Sequence, residues 1–370
     1  MIFYTLVFCI IFFLTYFEEQ LEEEKRSYLD ITMILILASL TAFRSIGGND
    51  FEIYRYFYNK TPEFGNLLQN SSVLLKQIEK GYVFYLSFIK TYLNLSYYGY
   101  LVLQSALIYT LMYLGLKKYT AHWGLFIMLF MYKMFFYDTF VSMRQPLTIA
   151  AFFMIMHFIE EKKWLPYYLI VIFITIPLHN GAYFLLFLYP LAYLNLSKKL
   201  IIILNIIFIP TLILPQLGLN PMKTVIFFFD YIEDGYVRSK MNAWANAQER
   251  LSILYSFEYL LLMALLLLNY DKIISSHKYA PLIIKLFLVI LPMVTLFREN
   301  ISVRRELDYL FPTYAFLIGY ICDIKVKKWY FILGSAIICF YGYWRMAALF
   351  GEGQYESWLN IEDATFFLNK

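Results

Sequence analysis

AHWGLFIMLFMYKMFFYDTFVSMRQPLTIAAFFMIMHFIEEKK, residues 121–163, is two apolar runs joined at a short polar apex, Asp138–Arg144, and closed by Lys162-Lys163. Lys117-Lys118 stands just before it. About 20 apolar residues in a helix cross the ~30 Å hydrocarbon core of a bilayer. Lysine and arginine gather in the short cytoplasmic connections between such spans. The stretch must therefore leave the lysine side and return to it, as a helical pair. The same punctuation recurs at Lys25-Arg26, at Lys198-Lys199, and at Lys325 with Lys327-Lys328. Residues 281–322 make a second pair, with its apex at Arg298–Asp308. Counting crossings in this way predicts an all-α, polytopic integral membrane protein of about twelve transmembrane helices. The count makes 1–370 a single transmembrane domain with both termini outside.

The composition agrees with that reading. Of 370 residues, 61% are hydrophobic and 16% charged, whereas a soluble chain spreads charge along every surface helix. A net charge of +4 with no basic tail excludes nucleic acid as a partner. Cys9, Cys322 and Cys339 lie inside apolar runs and read as small core residues, not as a disulfide or metal set. The N-terminus lacks a basic leader and a small-residue cleavage site, so residues 2–17 read as a retained first span. No HExxH, Walker loop, GxSxG or Cys/His metal spacing is present, which removes metalloprotease, ATP-driven pump and serine hydrolase. No metal or other cofactor is implied.

Two longer connections fall on the outer side, 44–97 and 217–250. Within the first, 79–95 is short and carries Lys90. Charge parity makes it a helix lying at the interface, not a span. The second holds Asp230, Tyr236, Arg238 and Trp244 and reads as a lid or a surface for sugars. Residues 164–194 give about 46 Å of helix, too long for one span and too short for two. They predict a hairpin broken at Pro177 and His179-Asn180-Gly181, with His179 in a protein-lined cavity.

Cytoplasmic connections favour lysine, while Arg44, Arg144, Arg298, Arg304 and Arg305 fall at the outer ends of spans. Charge at that depth is costly and marks functional cavities. Arginine rather than lysine suits a multidentate anion such as phosphate. Pairing with Glu299, Glu306 or Asp308, or reaching to headgroups, is the alternative for any one of them. Three clusters stand out: Arg44 through Asp50 to Tyr54, with Gly47-Gly48 for a turn; Ser142-Met143-Arg144-Gln145-Pro146; and His179. Pro146 suits a first helical turn, whose positive dipole would add to Arg144 in holding an anion. His122, His157 and His277 receive no role.

These clusters resemble the EpsG family of bacterial exopolysaccharide polymerases, relatives of the Wzy O-antigen and capsule polymerases. The matching pieces are Arg44, Gly48-Asn49-Asp50 and Tyr54, then Glu79-Lys80-Gly81-Tyr82, then Arg144-Gln145 before Ala150 and Ala151, then His179. They agree in order over roughly residues 30–195; Lys80 departs from a Glu-Pro-Gly-Tyr pattern. The resemblance implies a GT-C-like glycosyltransferase in the bacterial inner membrane with its active site facing the periplasm or outside. It implies an undecaprenyl-diphosphate-linked oligosaccharide as substrate, transferred as a growing glycan onto a new lipid-linked repeat unit. A separate co-polymerase setting chain length is a further expectation. On this reading Arg144, with Arg304 or Arg305, binds the diphosphate, and Arg44 and Arg298 are additional phosphate or sugar contacts. Tyr54 and Gln145 orient hydroxyls. Asp50 and His179 are the two candidates for general base, histidine having the better unperturbed pKa. The competing readings are an O-antigen ligase, a flippase for lipid-linked oligosaccharide, and a membrane acyltransferase.

Overall fold

The computed structural model describes residues 2–44, 51–67, 78–217, 219, 251–298, 303–324 and 328–350. Asp50 and nearly all of the 217–250 connection lie outside the described residues. Among the described residues the chain is helical and contains no strand. It divides into two compact units, Met1–Tyr189 with Trp329–Lys370, and Pro190–Lys328.

The first unit begins with α1 (Ile2–Glu18), α2 (Glu23–Ala42) and α3 (Phe51–Lys60). Next comes α4 (Lys80–Phe88), prolonged by a π turn over Ile89–Leu93 and ended by Asn94 in the left-handed conformation (φ 47°). α5 (Tyr97–Leu116) is followed by α6 (Trp123–Phe130), which runs on as a π-helix through Met131–Val141. α7 (Gln145–Ile155) and α8 (Trp164–Ile170, continued through Val171–Thr175 and Ile176–Leu178) complete this stretch. The second unit holds α9 (Lys198–Phe208), α10 (Ile253–Ser276), α11 (Ala280–Val294), α12 (Val303–Asp308) and α13 (Pro312–Asp323). α14 (Lys328–Phe350) then returns to the first unit.

Among the described residues, three helices are long and apolar enough to cross a membrane: Tyr97–Tyr119, Ile253–Ser276 and Trp329–Ala348. Shorter apolar helices occupy Ile2–Glu18, Trp123–Phe136, Gln145–Glu160, Trp164–Leu178 and Ala280–Val294. The helical, membrane-protein character expected from the sequence is thus present. The count of about twelve spans and the GT-C-like fold stay expectations.

α5 is the axis of the first unit. Its N-terminus is capped by Ser96, whose hydroxyl accepts from the Gly99 N–H at 3.2 Å, and it packs between α2 and α7. At its C-terminal end Lys117 pairs with the buried Asp30 of α2. Beside that pair, Glu18 accepts the backbone N–H groups of Trp123 (2.9 Å) and Gly124 (2.7 Å), so the end of α1 caps the start of α6. The first N–H groups of a helix have no partner within it, and a side-chain oxygen that accepts them stabilises the helix start. His122 pairs with Glu19 at the same end. The twenty residues of α5 put this lysine end about 30 Å from the arginine end.

The run 164–194 does fold back on itself. Tyr167 and Tyr168 on α8 donate to the carbonyls of Leu185 (2.7 Å) and Leu186 (3.4 Å), and the chain between them breaks at His179. His179 has extended backbone (φ −158°, ψ 126°), after which Asn180–Phe187 winds as a 3-10 helix.

Candidate active site

The arginine end of the first unit is built from helix termini. Arg144 immediately precedes α7, where Pro146 in the first turn starts the helix as its fixed φ favours. Just before it, Met143 is pinned: Gln104 on α5 donates to the Met143 carbonyl at 2.8 Å and accepts from the Tyr85 hydroxyl at 2.7 Å. The Arg144 guanidinium therefore leaves a fixed backbone. Its Nε donates to the Tyr54 hydroxyl on α3 (3.2 Å), and its charge lies 5.7 Å from the Tyr54 ring centre. Its Nη1 donates to Glu79 Oε2.

Glu79 precedes α4, and its second oxygen faces the hairpin. Oε1 accepts the backbone N–H of Asn180 (3.2 Å) and lies 3.4 Å from His179 Nδ1. Gly81 makes this approach possible. A Cβ there would sit 2.4 Å from the Pro177 Cβ and 2.7 Å from its carbonyl oxygen. The start of α4 thus lies directly against the hairpin break, and Glu79 reaches both Arg144 and His179. Burial pushes the Glu79 carboxyl up, but the hydrogen bond with His179 and the charge of Arg144 outweigh it and hold it at about 2, against 4.5 for a free glutamate. Glu79 is consequently an ionised acceptor and not a proton carrier at neutral pH.

Under these groups lies an aromatic floor from α3, α4 and α5. The Tyr82 and Tyr100 hydroxyls share a 2.6 Å hydrogen bond, and Tyr58 stacks on Tyr100 at 5.2 Å. Stacked and edge-on ring pairs of this kind stabilise by about 1 kcal/mol beyond their burial. The floor keeps the polar groups at fixed positions. Side-chain exposure is 23% for Arg144 but only 8% for Glu79 and 9% for His179, so the guanidinium is the member most open to a ligand.

The structure thus brings together Arg144, Tyr54 and His179 from the residues expected on sequence grounds. Gln145 is at the start of α7 and is buried. Arg44 belongs to the same end and is buried too. Its Nη1 donates to the Thr41 carbonyl, and its guanidinium lies 6.0 Å from the Phe51 ring centre. The Phe51 carbonyl accepts from Tyr97, whose hydroxyl is also 3.7 Å from Met143 Sδ, one residue before Arg144. Asp50 lies outside the described residues.

Arg298, Arg304 and Arg305 are in the second unit. There Arg304 Nε donates to Asp308 at 3.2 Å, and its guanidinium lies 5.7 Å and 5.8 Å from the Tyr255 and Phe311 ring centres. The carbonyl of Arg298 accepts the Leu251 N–H at 2.9 Å, and Arg305 is exposed. Among the described residues, no group of three His, Cys, Asp or Glu side chains is placed to hold a metal ion.

Glu79 was not among the expected site residues, although Glu79-Lys80-Gly81-Tyr82 was one of the pieces carrying the family resemblance. Its charge is the available signal: a carboxylate before a helix read as interfacial, on the side where arginines gather. Gln104 offered a weaker one, as a polar residue in an apolar run.

The model of the EpsG family matches residues 27–360, nearly the whole chain. No curated protein and no solved structure matches.

Proposed function

The chain belongs to the EpsG family, and on that premise we propose that it is a polysaccharide polymerase of the bacterial inner membrane. It transfers a growing glycan from undecaprenyl diphosphate onto a lipid-linked repeat unit at the outer face. The observation that carries this reading is the convergence of Arg144, Glu79 and His179 where α3, α4, α7 and the hairpin meet.

Such a transfer needs two things of the protein. The bond from the anomeric carbon to phosphate breaks, and negative charge collects on the departing diphosphate. Arg144 carries five N–H donors in a planar fork, of which Tyr54 and Glu79 take two and leave the rest for the diphosphate, and the N-terminus of α7 adds its dipole beside it. Preorganised cationic donors at the leaving group are the largest single contribution a site of this kind can make. The acceptor hydroxyl meanwhile forms the new bond to the anomeric carbon and gives up its proton. His179 takes that proton; Asp50 is the alternative from the sequence. Tyr54 orients Arg144 and, with Gln145, sugar hydroxyls. The glycosyl–phosphate bond already holds the driving energy, so neither nucleotide nor ATP is consumed.

The test is the surface-polysaccharide profile of the source bacterium with this gene deleted and then restored. Loss of the long ladder while single repeat units are still displayed, reversed by the wild-type gene, supports polymerisation. Restoration with Arg144→Lys should leave chain extension at least about 100-fold reduced, because a point charge cannot replace the planar fork. Full-length polymer stranded on its carrier would make the protein a ligase. Repeat units trapped on the cytoplasmic side would make it a flippase, and the polymerase reading would be abandoned.

A further inference from the structure

Glu79 touches both halves of the proposed chemistry. One carboxylate oxygen takes the Arg144 guanidinium, and the other faces His179 Nδ1 at 3.4 Å and the Asn180 N–H at 3.2 Å. An ionised carboxylate only accepts hydrogen bonds. A neutral imidazole facing it carries its proton on Nδ1, which leaves the lone pair on Nε2. That nitrogen lies over Gly181, where a Cβ would come within 3.0 Å of it, so the glycine leaves Nε2 uncrowded on that side. On α8 and the 3-10 segment the backbone is broken at His179 itself, so no helix holds the ring in place. The ring's orientation comes from Glu79 across the interface that Gly81 permits.

We infer that Glu79 is a positioning residue that holds His179 as the Nδ1–H tautomer, with Nε2 as the proton acceptor, and ties that imidazole to Arg144. The inference rests on the reading of His179 as the general base and adds which nitrogen acts and what selects it. A neutral amide at this position has one acceptor and one donor edge. The charged guanidinium takes the amide oxygen, since its hydrogen bond is the stronger. The NH₂ then faces His179 and donates to Nδ1, which drives the ring proton to Nε2. Glu79→Gln thus leaves the size of the side chain unchanged but puts the wrong nitrogen forward.

The experiment uses the full-length protein, purified in detergent with ¹⁵N-labelled histidine. The chain has only four histidines, so the His179 ring signals are identified by their disappearance in His179→Ala. In the wild type the signals should show the proton on Nδ1, and in Glu79→Gln on Nε2. In the gene-deleted host, Glu79→Gln should make about 100-fold less polymer than wild type, as loss of an orienting partner does elsewhere. Glu79→Asp, which keeps the charge on a shorter arm, should recover at least about tenfold of that loss and covers the case in which the glutamine variant fails to fold. Wild-type polymer from Glu79→Gln, with none from His179→Ala, overturns the role of Glu79 and leaves His179 standing as the base. Polymer from His179→Ala overturns the base reading itself. An unchanged tautomer in Glu79→Gln overturns the inference whatever the polymer yield.

Discussion

Glu79 shows how far one side chain can be read through its neighbours. Burial alone would raise its pKa, yet His179 and Arg144 bring it down to about 2 from 4.5. A carboxyl depressed on folding contributes stability in full above its unfolded pKa and loses it as pH falls through the folded value. With His179 in place, Glu79→Gln should therefore lower the thermal midpoint throughout the range from pH 8 to pH 5. The difference should shrink only below about pH 4.5, in thermal scans of the detergent-solubilised protein. A difference that fades between pH 8 and 6 would mean that Glu79 is not held ionised. At this scale the sequence already carried Arg144, Tyr54 and His179, because arginine at the end of an apolar run and histidine in a hairpin break are locally unusual. It did not single out Glu79. Its partners are 65 and 101 residues further along the chain, and only folding shows that one carboxylate serves both.

Among the elements, the contact between α4 and the hairpin is the one on which the site depends. Replacing Gly81 with Ala places a methyl within 2.4 Å of Pro177, and backbone on both sides leaves nothing flexible to yield. The start of α4 must then shift away from the hairpin, carrying Glu79 from His179. Gly81→Ala should reduce polymer by about 100-fold while the protein still inserts and accumulates, as a displacement of about 1 Å does for positioned groups. The ladder on the gel and an immunoblot of the membrane fraction together check this; full activity would show that α4 is not the scaffold of the site. The helix start at Pro146 and the break at His179 were legible in the sequence, since proline and a polar interruption act locally. The π-helix over Met131–Val141 was not. It buries Lys133 and Asp138, at 2% and 1% exposure, in a stretch whose apolar pattern reads as ordinary helix. An extra residue per turn changes which side faces inward without changing the composition.

Across the whole first unit, charge is sorted by end. Lys117, Asp30, Glu18 and the Glu19–His122 pair lie at one end of α5, and Arg44, Arg144 and Glu79 at the other. The lysine end holds the helices together and takes no part in the proposed chemistry. Glu18→Ala leaves two helix N–H groups without their acceptor and should cost about 2–3 kcal/mol in stability. Thermal midpoints will show it, while surviving protein should make polymer of normal length; a chain-length defect at normal stability would assign this end a different role. The sidedness itself was legible from lysine against arginine. The division into two units was not, because α14 closes the first unit from the far end of the chain. Tyr343 packs on Phe8 and Phe136 at 5.5 and 5.3 Å, Phe340 on Phe8 at 5.3 Å, and Trp329 on Tyr16 at 5.1 Å. The order of synthesis gives this return its consequence. Every residue brought together around Arg144 has left the ribosome by residue 189, but the surface that α1 offers to α14 stays uncovered until the second unit has also been threaded into the bilayer. During that interval the nascent chain displays Phe8, which the folded unit buries, to lipid or to an insertion chaperone. A chain cut short before α14 carries that exposed face as a mark by which membrane proteases can recognise an unfinished protein.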